Sequence, residues 1–156
     1  MDKENLHNKG NYKRFGLMLS ISFVIMYAVM FLNVASEDHI YLSLSRLYMT
    51  LLMVSPMAIV MLFLMKMMYP DKKKNSIIYI SSAAVFILSL TLLRTQTPVG
   101  DVQYMKAMIP HHSSAILTSK HADLTDPEIK KLAEEIIQAQ EKEISQMKAA
   151  LDRLEK

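Results

Sequence analysis

Seven side chains toward the C-terminal end could act together on one ion. Met105, Met108, His111 and His112 stand in the stretch Tyr104-Met105-Lys106-Ala107-Met108-Ile109-Pro110-His111-His112. Gln140, Glu143 and Met147 follow about thirty residues later. Thioether sulfur and imidazole nitrogen suit Cu(I), and equally soft Ag(I), far better than Mg, Ca or Mn, which prefer oxygen. The chain has no cysteine and fourteen methionines, so a soft metal must be held without thiolate or disulfide.

Spacing decides which of these residues meet. Met105 and His112 are seven residues apart, about 20° from each other around a helix, with Met108 on the same side. His111 points about 100° away from His112. Pro110 removes the amide that would bond the Lys106 carbonyl and strains the helix just before the two histidines. Such a kink can turn both imidazoles toward one region. Gln140, Glu143 and Met147 fall on one face at spacings of three and four.

Two helices must carry these residues. Val102, Met105, Ile109, His112, Ile116 and Ser119 follow alternating steps of three and four. Ala133, Ile137, Gln140, Ile144, Met147, Leu151 and Leu154 do the same. This is a heptad seam, the pattern of helices packed side by side. Asp126-Pro127 reads as an N-cap followed by Pro at the first helical position, while Thr125 and Glu128 offer a capping box instead. Either starts the second helix and predicts a helical hairpin over 94–156. Folding back at about Leu124 sets Met108 level with Gln140 and Met105 level with Glu143. Two helices alone make a thin core. A homo-oligomer through the hairpin, pairing two hairpins into a four-helix bundle, would cover both seams; docking on the chain's own spans is the alternative.

What precedes the hairpin is apolar. Phe15–Ser36, Leu47–Met65 and Asn75–Leu93 hold no Asp, Glu, Lys or Arg, and runs of about 18 or more such residues can cross a bilayer as helix. The expected organisation is therefore residues 1–14 in the cytoplasm, three spans over 15–93, and residues 94–156 on the outer face. Lys3, Lys9, Lys13 and Arg14, against Asp2 and Glu4, and Lys66 with Lys72, Lys73 and Lys74 in the second loop, place both segments inside by the positive-inside rule. The first span exceeds a signal-peptide core and lacks a convincing cleavage site, so it is read as retained. The basic residues are a topology signal with Lys72–Lys74 at the lipid surface, and no nucleic-acid partner is expected.

The second span carries Met49, Met53, Met57, Met61 and Met65 and contains Pro56. Flexible filler at helix contacts explains this row more simply than a thioether path for a soft cation. In the first loop, His39 is read either as a residue of a solvated loop or as a ligand that hands metal toward that row.

The stretch Met105–Ile116, M-K-A-M-I-P-H-H-S-S-A-I, resembles the M-I-P-H-H-x-x-A-I signature of the CopM-like family, also described as domain of unknown function 305. Ile136-Ile137, Gln140, Glu143-Ile144 and Met147 are similar to its I-I-x-x-Q-x-x-E-I-x-x-M run. The resemblance covers roughly Gly100–Leu154. It implies an all-α, ferritin-like helical bundle outside the cytoplasm that binds Cu(I) or Ag(I) through Met105, Met108, His111, His112, Gln140, Glu143 and Met147 in copper handling or resistance. This chain has one hairpin where a complete bundle needs two.

The expected protein is thus anchored in a bacterial inner membrane, buffers or passes on copper, and meets another copper-handling protein. The alternative is a membrane scaffold whose hairpin oligomerises without metal. No nucleophile–base pair, phosphate loop or H-E-x-x-H is present, and Glu134 and Glu135 are read as solvated, so no enzymatic activity is expected.

Overall fold

The computed structural model describes the backbone of residues 3–156 and the side chains from Asn11 onward. Asp2 and the side chains of Lys3, Glu4 and Lys9 lie outside the described residues, whereas Lys13 and Arg14 lie within them. The described residues form five α-helices and no strand: α1 Lys3–Val29, α2 Leu44–Leu64, α3 Lys72–Thr95, α4 Asp101–His121 and α5 Pro127–Leu154. They divide into two compact units, Met1–Ala28 with Leu47–Thr97, and Val29–Arg46 with Pro98–Lys156.

In the first unit three segments, Asn11–Val29, Leu44–Leu64 and Lys72–Thr95, are long and apolar enough to cross a membrane, which suggests a membrane protein. Leu17, Ile21, Val24, Phe63, Ile80 and Ile87 point outward, a surface that suits lipid and would be a liability in water. Inside, Thr50, Ser55, Ala58, Ser82 and Ser89 are buried. Small residues at such contacts let helix backbones approach closely. Pro56 lies inside α2, which continues through it, and the Ser55 hydroxyl donates to the Leu51 carbonyl at 2.6 Å. Phe15, Ala58, Leu62 and Tyr69 form the core, with Met61 and Met65 packed against it. Met49 and Met53 are exposed instead.

One end of this unit is held by polar groups. Asp71 caps α3 by accepting the Lys73 and Lys74 amides, each at 3.1 Å. The Tyr12 hydroxyl donates to Asn75 Oδ1 at 2.7 Å, and Asn75 Nδ2 donates to the Tyr69 carbonyl at 2.7 Å. At the other end of α3, Gln96 takes a left-handed conformation with φ 52° and closes the helix through its amide to the Leu92 carbonyl.

The second unit is the expected hairpin with an added layer. Ile109, Ile116, Ile144 and Leu151 form its core, and Val102, Met105, Ile137 and Met147 pack against them. These are the seam positions read from the heptads. Asp126 starts α5 by accepting the Glu128 amide at 2.8 Å and the Ile129 amide at 3.0 Å, so the Asp-Pro reading of this boundary holds and the Thr125–Glu128 box is not used. The added layer is the segment between α1 and α2. The apolar run Phe15–Ser36 does not remain helical to its end: α1 stops at Val29, and the following residues join the hairpin. Tyr41 packs on the hairpin core, and the Arg46 guanidinium lies over the Phe31 ring, 4.4 Å from its centre.

The hairpin register differs from the symmetric fold-back at Leu124. Lys106 pairs with Glu155, His112 with Glu143 and Lys120 with Glu141. Glu143 is therefore level with His112 rather than Met105, and the first turns of α5 run on past the end of α4. The connector makes this geometry feasible. Ala122 and Asp126 have extended backbone, and the six steps from His121 to Pro127 reach up to about 20 Å, the rise of about 13 helical residues.

Candidate metal site

The site is built on the α4 face that looks into the seam. Ile109 and Ile116 are fully buried there, and His112 lies between them in the heptad with its side chain 15% exposed. Its Nδ1 is 3.0 Å from Glu143 Oε2, yet off the hydrogen-bonding direction, so this buried nitrogen has no hydrogen-bond partner. Burial pushes the His112 imidazole below its ordinary value. Glu143 opposes that shift and His111 adds to it. The ring is thus held neutral, as a metal ligand must be.

The remaining candidates surround this pair unequally. Met108 precedes His112 by four residues and Met147 follows Glu143 by four. Because the helices are antiparallel, both lie about one turn, ~6 Å, toward the same end of the hairpin. Both are half-buried, and Met147 packs on the isoleucine core. Met105 packs on that core as well, but it is two turns from His112, about 10 Å along the helix. Gln140 is half-buried on the opposite side of Glu143.

His111 does not enter the seam. Its ring is 6.1 Å from that of His112 at 64°, and the residue is exposed. Pro110 is buried and α4 runs through it, so the strained turn does not draw both imidazoles inward. Among the described residues, no three His, Asp or Glu side chains converge as a metal site. The further donor groups nearest His112 and Glu143 along the two helices are the thioethers of Met108 and Met147 and the amide of Gln140.

Sequence reasoning missed the residues that hold the first loop to this helix. Ser113, fully buried, accepts the Ala35 amide at 2.7 Å and lies 2.9 Å from His39 Nδ1. Asn33 Nδ2 donates to Ser114 Oγ at 2.9 Å, and Lys148 pairs with Asp38. The loop around His39 is solvated, with Ala35–Asp38 and Ile40 exposed, but the His39 side chain itself is only 15% exposed. The available signal was Ser113 itself, a short polar residue one position off the seam that needs a partner if buried.

The fold and site define an all-helical protein in which three long apolar helices accompany a helical hairpin with Met, His and Glu along its seam. A family model described as "Domain of unknown function (DUF305)" matches residues 88–154, taking in the hairpin and the last turns of α3. The protein L153 of Acanthamoeba polyphaga mimivirus, itself uncharacterized, is 41% identical over 139 residues, 87% of this chain and 90% of the viral protein. Residues 88–154 thus form a DUF305 domain, and the chain as a whole belongs to one family with the viral protein. The likeness to the viral protein extends well beyond the hairpin into the apolar helices. No solved structure matches the chain.

Proposed function

We propose that this chain is a membrane-anchored Cu(I)- and Ag(I)-binding protein whose hairpin, facing away from the cytoplasm, buffers or transfers the ion. The observation that carries the reading is the buried His112 Nδ1 without a hydrogen bond. A buried polar atom left unsatisfied costs about 1–3 kcal/mol, and a bound cation removes that cost. His112 and Glu143 form the nucleus of the site, and Met108 and Met147 supply the thioethers. Met105 lies at the next turn, with His111 and Gln140 at the margins. This donor set favours a soft monovalent ion over Mg, Ca or Mn. The excess of Lys and Arg in the first fourteen residues and around the turn from α2 to α3, at Lys66 and Lys72–Lys74, supports an N-terminus in the cytoplasm. A copper-handling partner would then deliver or receive the ion on the outer side, where two such hairpins pair into a ferritin-like bundle.

A second reading has support of its own. Met105 and Met147 pack against the isoleucine core as ordinary core residues do, which suits a scaffold whose hairpin binds no metal. Competition of the full chain in detergent against a chromogenic Cu(I) chelator, under reducing conditions, separates the two. Metal withdrawn from the chelator is expected for the copper protein, and none for the scaffold.

A further inference from the structure

The register of the hairpin leaves part of α5 without a partner. Because its first turns run past the end of α4, Ile129 and Leu132 are 46% and 49% exposed. Ile136 and Ala139 continue the same face at steps of three, four and three. This strip borders a groove of about 260 Å³ lined by Ala122, Leu124, Leu132 and Ile136 among others. Ile129, Leu132, Ile136 and Ala139 make a contiguous apolar strip beside the seam of α5, flanked by exposed charges at Glu128, Glu135 and Lys142, and a contiguous strip of this kind suits a contact surface.

The order of residues along the strip specifies what covers it. When a second α5 is laid on it antiparallel, Ile129 faces Ala139, Leu132 faces Ile136, and the reverse pairs follow by symmetry. This gives four large-against-small or aliphatic layers of the kind antiparallel helices pack. On the flank, offset by one residue from the centre of the apolar pairs at position 134, Glu128 comes opposite Lys142 twice; both are exposed. Glu135 meets its own copy at the axis, with its charge offset by Lys131 of the same helix at 3.9 Å. A patch complementary to itself in this way is what a two-fold contact requires.

We propose that two copies of this chain associate through the outer face of α5, residues 128–142, about a two-fold axis near Glu135. The contact is separate from the metal site, which stands or falls independently of it. It closes the groove with the partner's Ile129, Leu132 and Ile136 and gives each thin hairpin a second apolar wall.

Because the chain has no cysteine, single cysteines report on the axis without interference. In membranes, Glu135→Cys should form a diamide-induced disulfide dimer, whereas Glu134→Cys, on the outward face, should not. In detergent, light scattering should give a dimer mass for the native chain and a monomer mass for Leu132→Glu. Glu128→Lys should weaken the dimer, and Glu128→Lys with Lys142→Glu should restore it. The charge pair keeps the test decisive even if Leu132→Glu disturbs folding. A monomeric native chain, equal cross-linking at both cysteine positions, or no rescue by the double reversal would overturn the proposal. So would a monomer in which a fluorophore at position 132 is quenched by lipid-borne quenchers, which would assign the strip to a lipid surface.

Discussion

His39 Nδ1 lies 2.9 Å from Ser113 Oγ, joining residues 74 positions apart and fixing the loop between the first two helices onto the helix that carries His112. The same hydroxyl receives the Ala35 amide, so one buried serine organises both the loop backbone and its histidine. Ser113→Ala should leave these groups unpaired at a cost of about 1–3 kcal/mol. Hydrogen exchange should then accelerate over residues 33–41 while α5 keeps its protection. Unchanged exchange in that loop would show that Ser113 does not hold it.

The same contacts make the hairpin unit sensitive to acid. Burial first, then the Lys148 ammonium, hold the His39 imidazole below its ordinary value, against the opposing pull of Asp38. His112 is lowered by burial in the same direction. Both rings take up a proton more readily in the unfolded chain, so the stability they contribute is complete above the usual histidine value of about 6.5 and is lost as the pH falls through their folded values. Asp38, held at about 2 by hydrogen bonds from Lys148 and Ser36, stays ionised throughout. The melting temperature of the hairpin unit should drop from about pH 7.5 to about pH 5, and His39→Gln with His112→Gln should flatten that dependence. An equally steep fall in the double variant would place the acid sensitivity elsewhere.

At the start of α5, Asp126 accepts two backbone amides. Asp126→Ala should cost about 1 kcal/mol, while Asp126→Asn or Asp126→Ser should restore most of it. Thermal melts of the three variants measure this directly. Equal stability of the alanine variant would mean that Thr125 takes over the cap.

The proposed orientation rests on the distribution of basic residues. A reporter active only outside the cytoplasm should work when fused after Lys156 and fail when fused after Lys74. The opposite pattern would put the hairpin in the cytoplasm and remove the outer-face copper role.

Much of the hairpin was legible in the sequence because repetition encodes it. Ile109, Ile116, Ile144 and Leu151 recur at heptad steps and form the core, and Asp126-Pro127 marks a helix start through local chemistry alone. The three apolar segments were visible for the same reason, although α1 ends at Val29 rather than continuing to Ser36. Two features were hidden because no period or local rule carries them. The first loop is held by hydrogen bonds of Ser113 and Ser114 to Ala35, His39 and Asn33, single polar pairs far apart in sequence. The register depends on an extended connector, with Lys106–Glu155 and Lys120–Glu141 as its markers. A symmetric turn was the simpler assumption, and it paired Glu143 with Met105 instead of His112. Within the candidate site, residue types and faces were readable, whereas depth was not. His112 turns inward, while His111, one residue away, remains exposed.

The most direct measurement compares Cu(I) affinity, by chelator competition under reducing conditions, between the native full-length chain and the variant Met108→Leu, His112→Leu, Met147→Leu. Leucine suits the seam positions of His112 and Met147 and the half-buried position of Met108, so helicity and melting should be retained. The native chain is expected to withdraw Cu(I) from the chelator, with Ag(I) displacing it, and the triple variant to withdraw none. Undiminished Cu(I) binding by the folded triple variant, or none by the native chain, would contradict the assignment of the seam as a copper site.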